Sequence, residues 1–150
     1  MIETNHYIQT WVEARTRFIN LLKDIHESDL PKKLGKSQNS AGFLIRHIAD
    51  VELLFAKNVF GGSELKVHAK TVAAGADSGE WIHLQDLLDY QKEANETLIS
   101  ILSTQKDGDW EQIITTKEFG TKTKAEAIGR IISHTAYHAG QLALILKYGE

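Results

Sequence analysis

Two histidines, His134 and His138, stand four residues apart in the stretch SHTAYHAGQL, and a third, His47, sits in AGFLIRHIADVELLF. On an α-helix, side chains four apart have Cβ atoms about 5–6 Å from each other, near enough for two imidazoles to converge on one ion. Seven histidines among 150 residues would give about 0.3 such pairs by chance, so the spacing alone is a weak motif. Direction adds more. At roughly 100° per residue, Ile128, Ile131, Leu142 and Leu146 define the buried stripe of the last helical stretch; His138 falls inside it and His134 on its edge. His47 shares a face with Phe43, Val51 and Leu54. Each core-facing imidazole carries two nitrogens that need partners once desolvated. Either each ring finds its own hydrogen bond, or one divalent cation takes a lone pair from each. Three rings with this placement favour the cation.

Three protein ligands leave a coordination position open, which reads as a catalytic or ligand-binding site rather than a closed structural one. Such an ion lowers the pKa of a water or holds a thiolate or oxygen as a Lewis acid. Imidazole suits zinc, nickel or iron, and copper as well, without choosing among them. The absence of cysteine excludes thiolate ligands, disulfides and a cysteine nucleophile. Metalloprotease chemistry loses its base, because Thr135 follows His134 where HExxH has glutamate. A carboxylate-bridged di-iron site needs two ExxH pairs from facing helices plus further glutamates; Glu80 with His83 sits at a predicted loop–helix junction, and Glu3 with His6 at the very start of the chain. No catalytic base can be assigned. Asp50, one turn after His47, and Gln141, one turn after His138, are candidates to accept the outer N–H of a ligand imidazole, or, for Gln141, to face the substrate; the alternative for both is a solvent-facing polar residue. Tyr137 points away from His138 on a helical wheel, towards packing or an interface.

The elements that must position these residues read as four helices in one domain spanning 1–150. The first runs from Thr4 to about His26 on the rhythm of Ile8, Trp11, Val12, Arg15, Phe18, Ile19, Leu22 and Ile25, with Pro31 beyond its end. The second opens at Asn39 or Ser40 and runs to about Val59, before Gly61-Gly62. The third covers about His83 to Ser103. The fourth begins at Thr123, with Glu126 completing a capping box, and ends before Gly149. The spacing predicts an all-α fold, a four-helix bundle with two unusual connections. Residues 60–81 form a long crossover between helices two and three, a length that suits a pocket wall. Residues 110–123 alternate like a short hairpin with Gly120 near its turn.

Apolar residues are 42% and charged residues 25%, with a net charge of −3 and a pI of about 6.2. Nothing here makes the basic stripe of a nucleic-acid partner. Lys32, Lys33 and Lys36, then Lys117, Lys122 and Lys124, lie near predicted loops and read as solvated faces. No apolar run is long enough to span a bilayer. The opening MIETNHYIQTWVEARTRF lacks the apolar core of a secretory signal, so the cytoplasm is the expected compartment.

Together, RHIADVELLF in the second helix and HTAYHAGQL in the last resemble the DinB superfamily of damage-inducible four-helix-bundle proteins. The resemblance covers essentially the whole chain, and its specific part is the H…HxxxHxGQ pattern. It implies a divalent metal held by three histidines, which map onto His47, His134 and His138. His6, His26, His68 and His83 match no ligand position and read as surface or loop residues. Superfamily members include metal-dependent thiol transferases acting with small bacterial thiols, and isomerases using mycothiol. The implied function is metal-dependent activation of a thiol or water, transferase-like or hydrolase-like, on a small-molecule substrate such as a low-molecular-weight thiol. The alternative is a non-catalytic metal- or ligand-binding stress-response module. A homodimer through exposed apolar helix faces accords with the resemblance, although the sequence singles out no interface.

Overall fold

A computed structural model describes residues 1–150. Helix α1 (Ile2–Leu22) buries Trp11, Arg15, Phe18 and Leu22, the i, i+4, i+7 spacing of one face. It stops four residues short of the expected His26, and Val12 is exposed rather than packed. The Asp29 carboxylate competes with the helix here. It accepts from the backbone N–H of His26 at 2.9 Å and from Lys32 Nζ at 2.7 Å, fixing a tight turn over Glu27–Asp29. That turn returns Ile25 and Leu30 to the core.

Helix α2 (Ala41–Asn58) starts where Ser40 Oγ accepts from the Phe43 N–H at 3.1 Å. Within the crossover lies a short helix, α3 (Lys70–Ala74), which the sequence pattern does not anticipate. Helix α4 spans Leu84–Leu102. The expected hairpin is narrower than 110–123. Strands β1 (Ile113–Thr116) and β2 (Gly120–Thr123) pair antiparallel with Ile113 opposite Thr123. Gly120 takes a φ of +74° at the end of the turn, a backbone that disfavours any Cβ. Trp110 belongs instead to a helical turn and is fully buried, its Nε1–H donating to Thr4 Oγ1 at 2.9 Å. Helix α5 (Lys124–Tyr148) carries the capping box, with Thr123 Oγ1 accepting from the Glu126 N–H and the Glu126 carboxylate accepting from the Thr123 N–H. Lys124 departs from the solvated-face reading: it is buried, and Nζ donates to Gln105 Oε1 at 2.8 Å.

The four long helices pack around two apolar clusters. One gathers Phe18, Leu44, Ile48, Leu87, Leu142 and Ile145; the other gathers Trp11, Phe55, Leu98, Trp110 and Ile131. The first cluster therefore takes the C-terminal halves of α1 and α5 and the N-terminal halves of α2 and α4. Helices α2 and α4 run in the same direction, and this explains the long crossover. An 18-residue helix spans about 27 Å, a length the chain must retrace before α4 begins. The crossover ends tightly against α2. A Cβ built on Gly42 would lie 1.8 Å from the Trp81 carbonyl oxygen. We expect Gly42→Ala to cost about 1–3 kcal/mol as the backbone is forced apart, read as a lower midpoint in thermal or urea unfolding.

Between the two clusters each helix places polar residues. Arg15, Glu52 and Gln91 meet between α1, α2 and α4, while His47, His134 and His138 meet between α2 and α5. No helix is long and apolar enough to cross a membrane.

Candidate metal centre

His47 comes from the middle of α2, and His134 and His138 from successive turns of α5. Each offers a ring nitrogen, and the three nitrogens lie within 4.8 Å of one another. His47 Nε2 and His134 Nε2 are 3.3 Å apart. Two imidazole nitrogens bound to one tetrahedral ion at about 2.0–2.1 Å would sit about 3.4 Å from each other. The pair already stands at that separation. The rings are tightly clustered, with centroids 4.5 Å apart for His134–His138 and 4.9 Å for His47–His138. The other four histidines, His6, His26, His68 and His83, are exposed and lie outside the cluster.

Two of the three tautomers follow from the hydrogen bonds. Thr71 Oγ1 has one proton, and it goes to Asp50 Oδ2 at 2.6 Å. At 3.1 Å from His47 Nδ1 the same oxygen must then accept, so Nδ1 carries the ring proton and Nε2 presents a lone pair to the cluster. On α5, His138 Nδ1 lies 2.7 Å from Gln141 Oε1. A carboxamide oxygen only accepts, which again leaves Nε2 unprotonated. His134 Nδ1 is buried with no partner, while its Nε2 lies 3.3 Å from the unprotonated His47 Nε2 and donates to it. A cation entering the cluster would replace that shared proton, leaving the His134 proton on Nδ1 and an Nε2 lone pair for the ion. The donor set thus fits a borderline cation that binds neutral imidazole.

Electrostatics keep the rings neutral. Burial lowers His47 to about 4, with His138 adding to the effect and Asp50 opposing it. Burial, then His138, His47 and Arg130, lower His134 to about 3. His138 is also lowered by burial, against the Gln141 hydrogen bond. Desolvation disfavours the imidazolium in each case.

Asp50 does not touch a ring nitrogen. Its carboxylate is fully buried and accepts from Arg46 Nε at 2.9 Å, the Thr71 N–H at 3.0 Å, Thr71 Oγ1 and the Tyr90 hydroxyl at 2.6 Å. It reaches His47 only through Thr71, a residue of α3 that the sequence pattern passed over. Burial and the Asp50 hydrogen bond push the Tyr90 phenol well above its usual range, keeping it a donor. The Arg46 guanidinium stacks on the Tyr90 ring at 3.6 Å and donates to the His68 carbonyl at 3.0 Å. The crossover is thereby tied to α2 at Thr71 and at His68. Tyr137 also differs from the helical-wheel reading: its largely exposed ring stands edge-on to His138, 5.1 Å between centroids. Consecutive residues diverge by about 100° at the backbone, but a ring long enough to lean sideways closes that gap. Glu80 and His83 do not converge on the cluster. Glu80 meets Ser78 and Lys70, and His83 sits exposed at the start of α4.

A cavity of about 460 Å³ adjoins the cluster, bordered by His47 and His134 and by Val72 of α3, so the crossover does supply wall residues. Glu118, in the hairpin turn, lies on the same cavity, and burial raises its carboxyl above the usual range against the pull of Arg130. The sequence carried no signal for it beyond its place in a turn.

A crystal structure of a DinB-like protein from Bacillus subtilis superposes with a TM-score of 0.70 at 18% identity, covering 95% of this chain and 90% of that one. Identity this low speaks for the fold alone. No curated protein matches the chain. The DinB superfamily model matches residues 10–142, a span that takes in α2 and α4 whole, most of α1 and α5, and all three clustered histidines, and the chain belongs to the DinB superfamily.

Proposed function

We propose that the chain is a four-helix-bundle protein in which His47, His134 and His138 hold one divalent cation, zinc, nickel or iron, and that it uses this ion on a thiol or water of a small-molecule substrate in the cytoplasm. The observation that carries the reading is the convergence of three neutral ring nitrogens within 4.8 Å, one pair at 3.3 Å. Superfamily membership supports it. When bound, such an ion supplies Lewis acidity to a sulfur or oxygen donor at a free coordination position. The protein's own residues do the rest. Thr71 and Gln141 hold the protons of His47 and His138 on Nδ1 and so aim Nε2 inward. The cavity beside His47 and His134 admits a substrate and limits the water around it.

Elemental analysis of protein purified without a histidine tag tests the site. One equivalent of a transition metal, lost on chelation and restored by titration, is the expected result; none at any metal concentration sinks the proposal. A screen of glutathione, coenzyme A and bacillithiol against chlorodinitrobenzene then separates an enzyme from a binding module. Metal-dependent conjugation that His47→Ala abolishes marks the enzyme; normal metal content without turnover marks the module. Thr71→Val removes the hydroxyl that fixes the His47 tautomer. It should weaken metal affinity by about 10–100-fold, measured by competition with a chelating indicator.

A further inference from the structure

The cavity beside the histidines has a lining that selects a class of ligand. Val51, Leu54, Phe55 and Val72 make it apolar on the side of α2 and α3, and its polar lining beyond the two histidines is Asn58 of α2 with Thr116, Lys117 and Glu118 of the hairpin. One cation and one carboxylate offset each other, so the wall as a whole does not call for a charged guest. A polar group laid against the four apolar side chains would lose its water without gaining a partner. At about 460 Å³ the space is of small-molecule size. We infer that this cavity takes an uncharged alkyl or aryl group of a substrate whose sulfur or oxygen donor reaches the His47–His134 side of the cluster, with Val72 and Leu54 setting the size accepted. The inference rests on the reading of the cluster as a metal site and goes beyond it by naming what lies beside the metal: a hydrophobic substituent, not the polar body of a hydrophilic thiol.

The geometry makes Val72 the residue to change. It borders the cavity from α3, is 44% exposed, and supports no part of the core. Cobalt(II)-loaded protein reports thiol binding by its absorption bands. Across ethanethiol, propanethiol and butanethiol, affinity should rise about fourfold per methylene, with 2-phenylethanethiol tighter still and 2-mercaptoethanol weakest. Val72→Asp should flatten that series to under about twofold per methylene. A second readout does not need the metal: backbone amide shifts of Val72 and Lys117 on titrating 2-phenylethanethiol into metal-free protein.

Length-dependent affinity, a flattened series in Val72→Asp and shifts at both amides support the assignment. Affinity independent of chain length, a series unchanged in Val72→Asp, or the absence of shifts at Val72 and Lys117 overturns it while leaving the metal reading intact. A protein that takes up no cobalt but shows the two shifts overturns the metal reading and upholds the apolar cavity.

Discussion

His134→Ala protein is expected to fold and to lose its response to metal. At a metal concentration about 100 times the dissociation constant, an ion that binds only the native state adds about 2.7 kcal/mol. For a chain of this length that is roughly 5–10 °C in thermal midpoint. The wild type should show this gain and lose it to a chelator. The variant should show none, with affinity down by more than about 100-fold, beyond the loss expected for a residue that merely supports a ligand. The metal-free variant should lie close to the metal-free wild type. His134 enters the core neutral, because burial holds its pKa near 3. Its Nδ1 makes no hydrogen bond, and its Nε2 makes only the long 3.3 Å one to His47, a ring that keeps Thr71 as its other partner, so little is left stranded. Calorimetric titration of both proteins checks the affinity, and unfolding with and without metal checks the stability. A variant that binds as tightly as the wild type removes His134 from the site.

The cluster is legible in the sequence because helical periodicity is a local property. His134, His138 and the stripe of Ile128, Ile131 and Leu142 share one helix, and the face of each residue follows from counting. The capping box at Thr123 and Glu126 is local in the same way, and the helix begins there. What escapes is whatever depends on chain brought from elsewhere. Thr71 lies 24 residues from His47, on a five-residue helix too short to leave a periodic pattern. Its presence turns Asp50 from a direct partner of the imidazole into an indirect one. Lys124 reads as a surface cation until Gln105 arrives from the end of α4 to receive it. The end of α1 is misplaced for a related reason: the apolar spacing continues through Ile25, and only the Asp29 side chain, further along the chain, makes a turn cheaper than another helical turn.

Arg15 shows how much a residue placed correctly by its spacing can still conceal. It falls on the apolar stripe of α1, and it is indeed buried, 2% exposed, facing a Glu52 that is 0% exposed. Arg15 Nε donates to Glu52 Oε1 at 2.8 Å and an Nη to Oε2 at 3.2 Å; the same Nη donates to the backbone and side-chain oxygens of Gln91. A pair so enclosed is weak evidence for stability in itself, since desolvation offsets most of the attraction. Breaking it is another matter, because the survivor is left charged and unsolvated. Arg15→Met should therefore cost about 3–5 kcal/mol at neutral pH, roughly 6–20 °C in thermal midpoint.

The sign of the pH dependence identifies the cause. Burial raises the Glu52 carboxyl even with Arg15 beside it, the guanidinium pulling it down. Without Arg15 the rise must be larger. A carboxyl with a folded pKa above its unfolded value binds more protons in the native state, so its contribution to stability is present at low pH and lost as pH climbs through the folded pKa. The deficit of Arg15→Met relative to wild type should accordingly shrink between pH 7.5 and pH 5. Adding Glu52→Leu should recover most of the loss and remove that pH dependence. Urea unfolding of the wild type, the single variant and the double variant at both pH values reads all three effects. If the double variant is no more stable than Arg15→Met, the cost lies in lost packing of the long arginine side chain, and the stranded carboxylate is not its source.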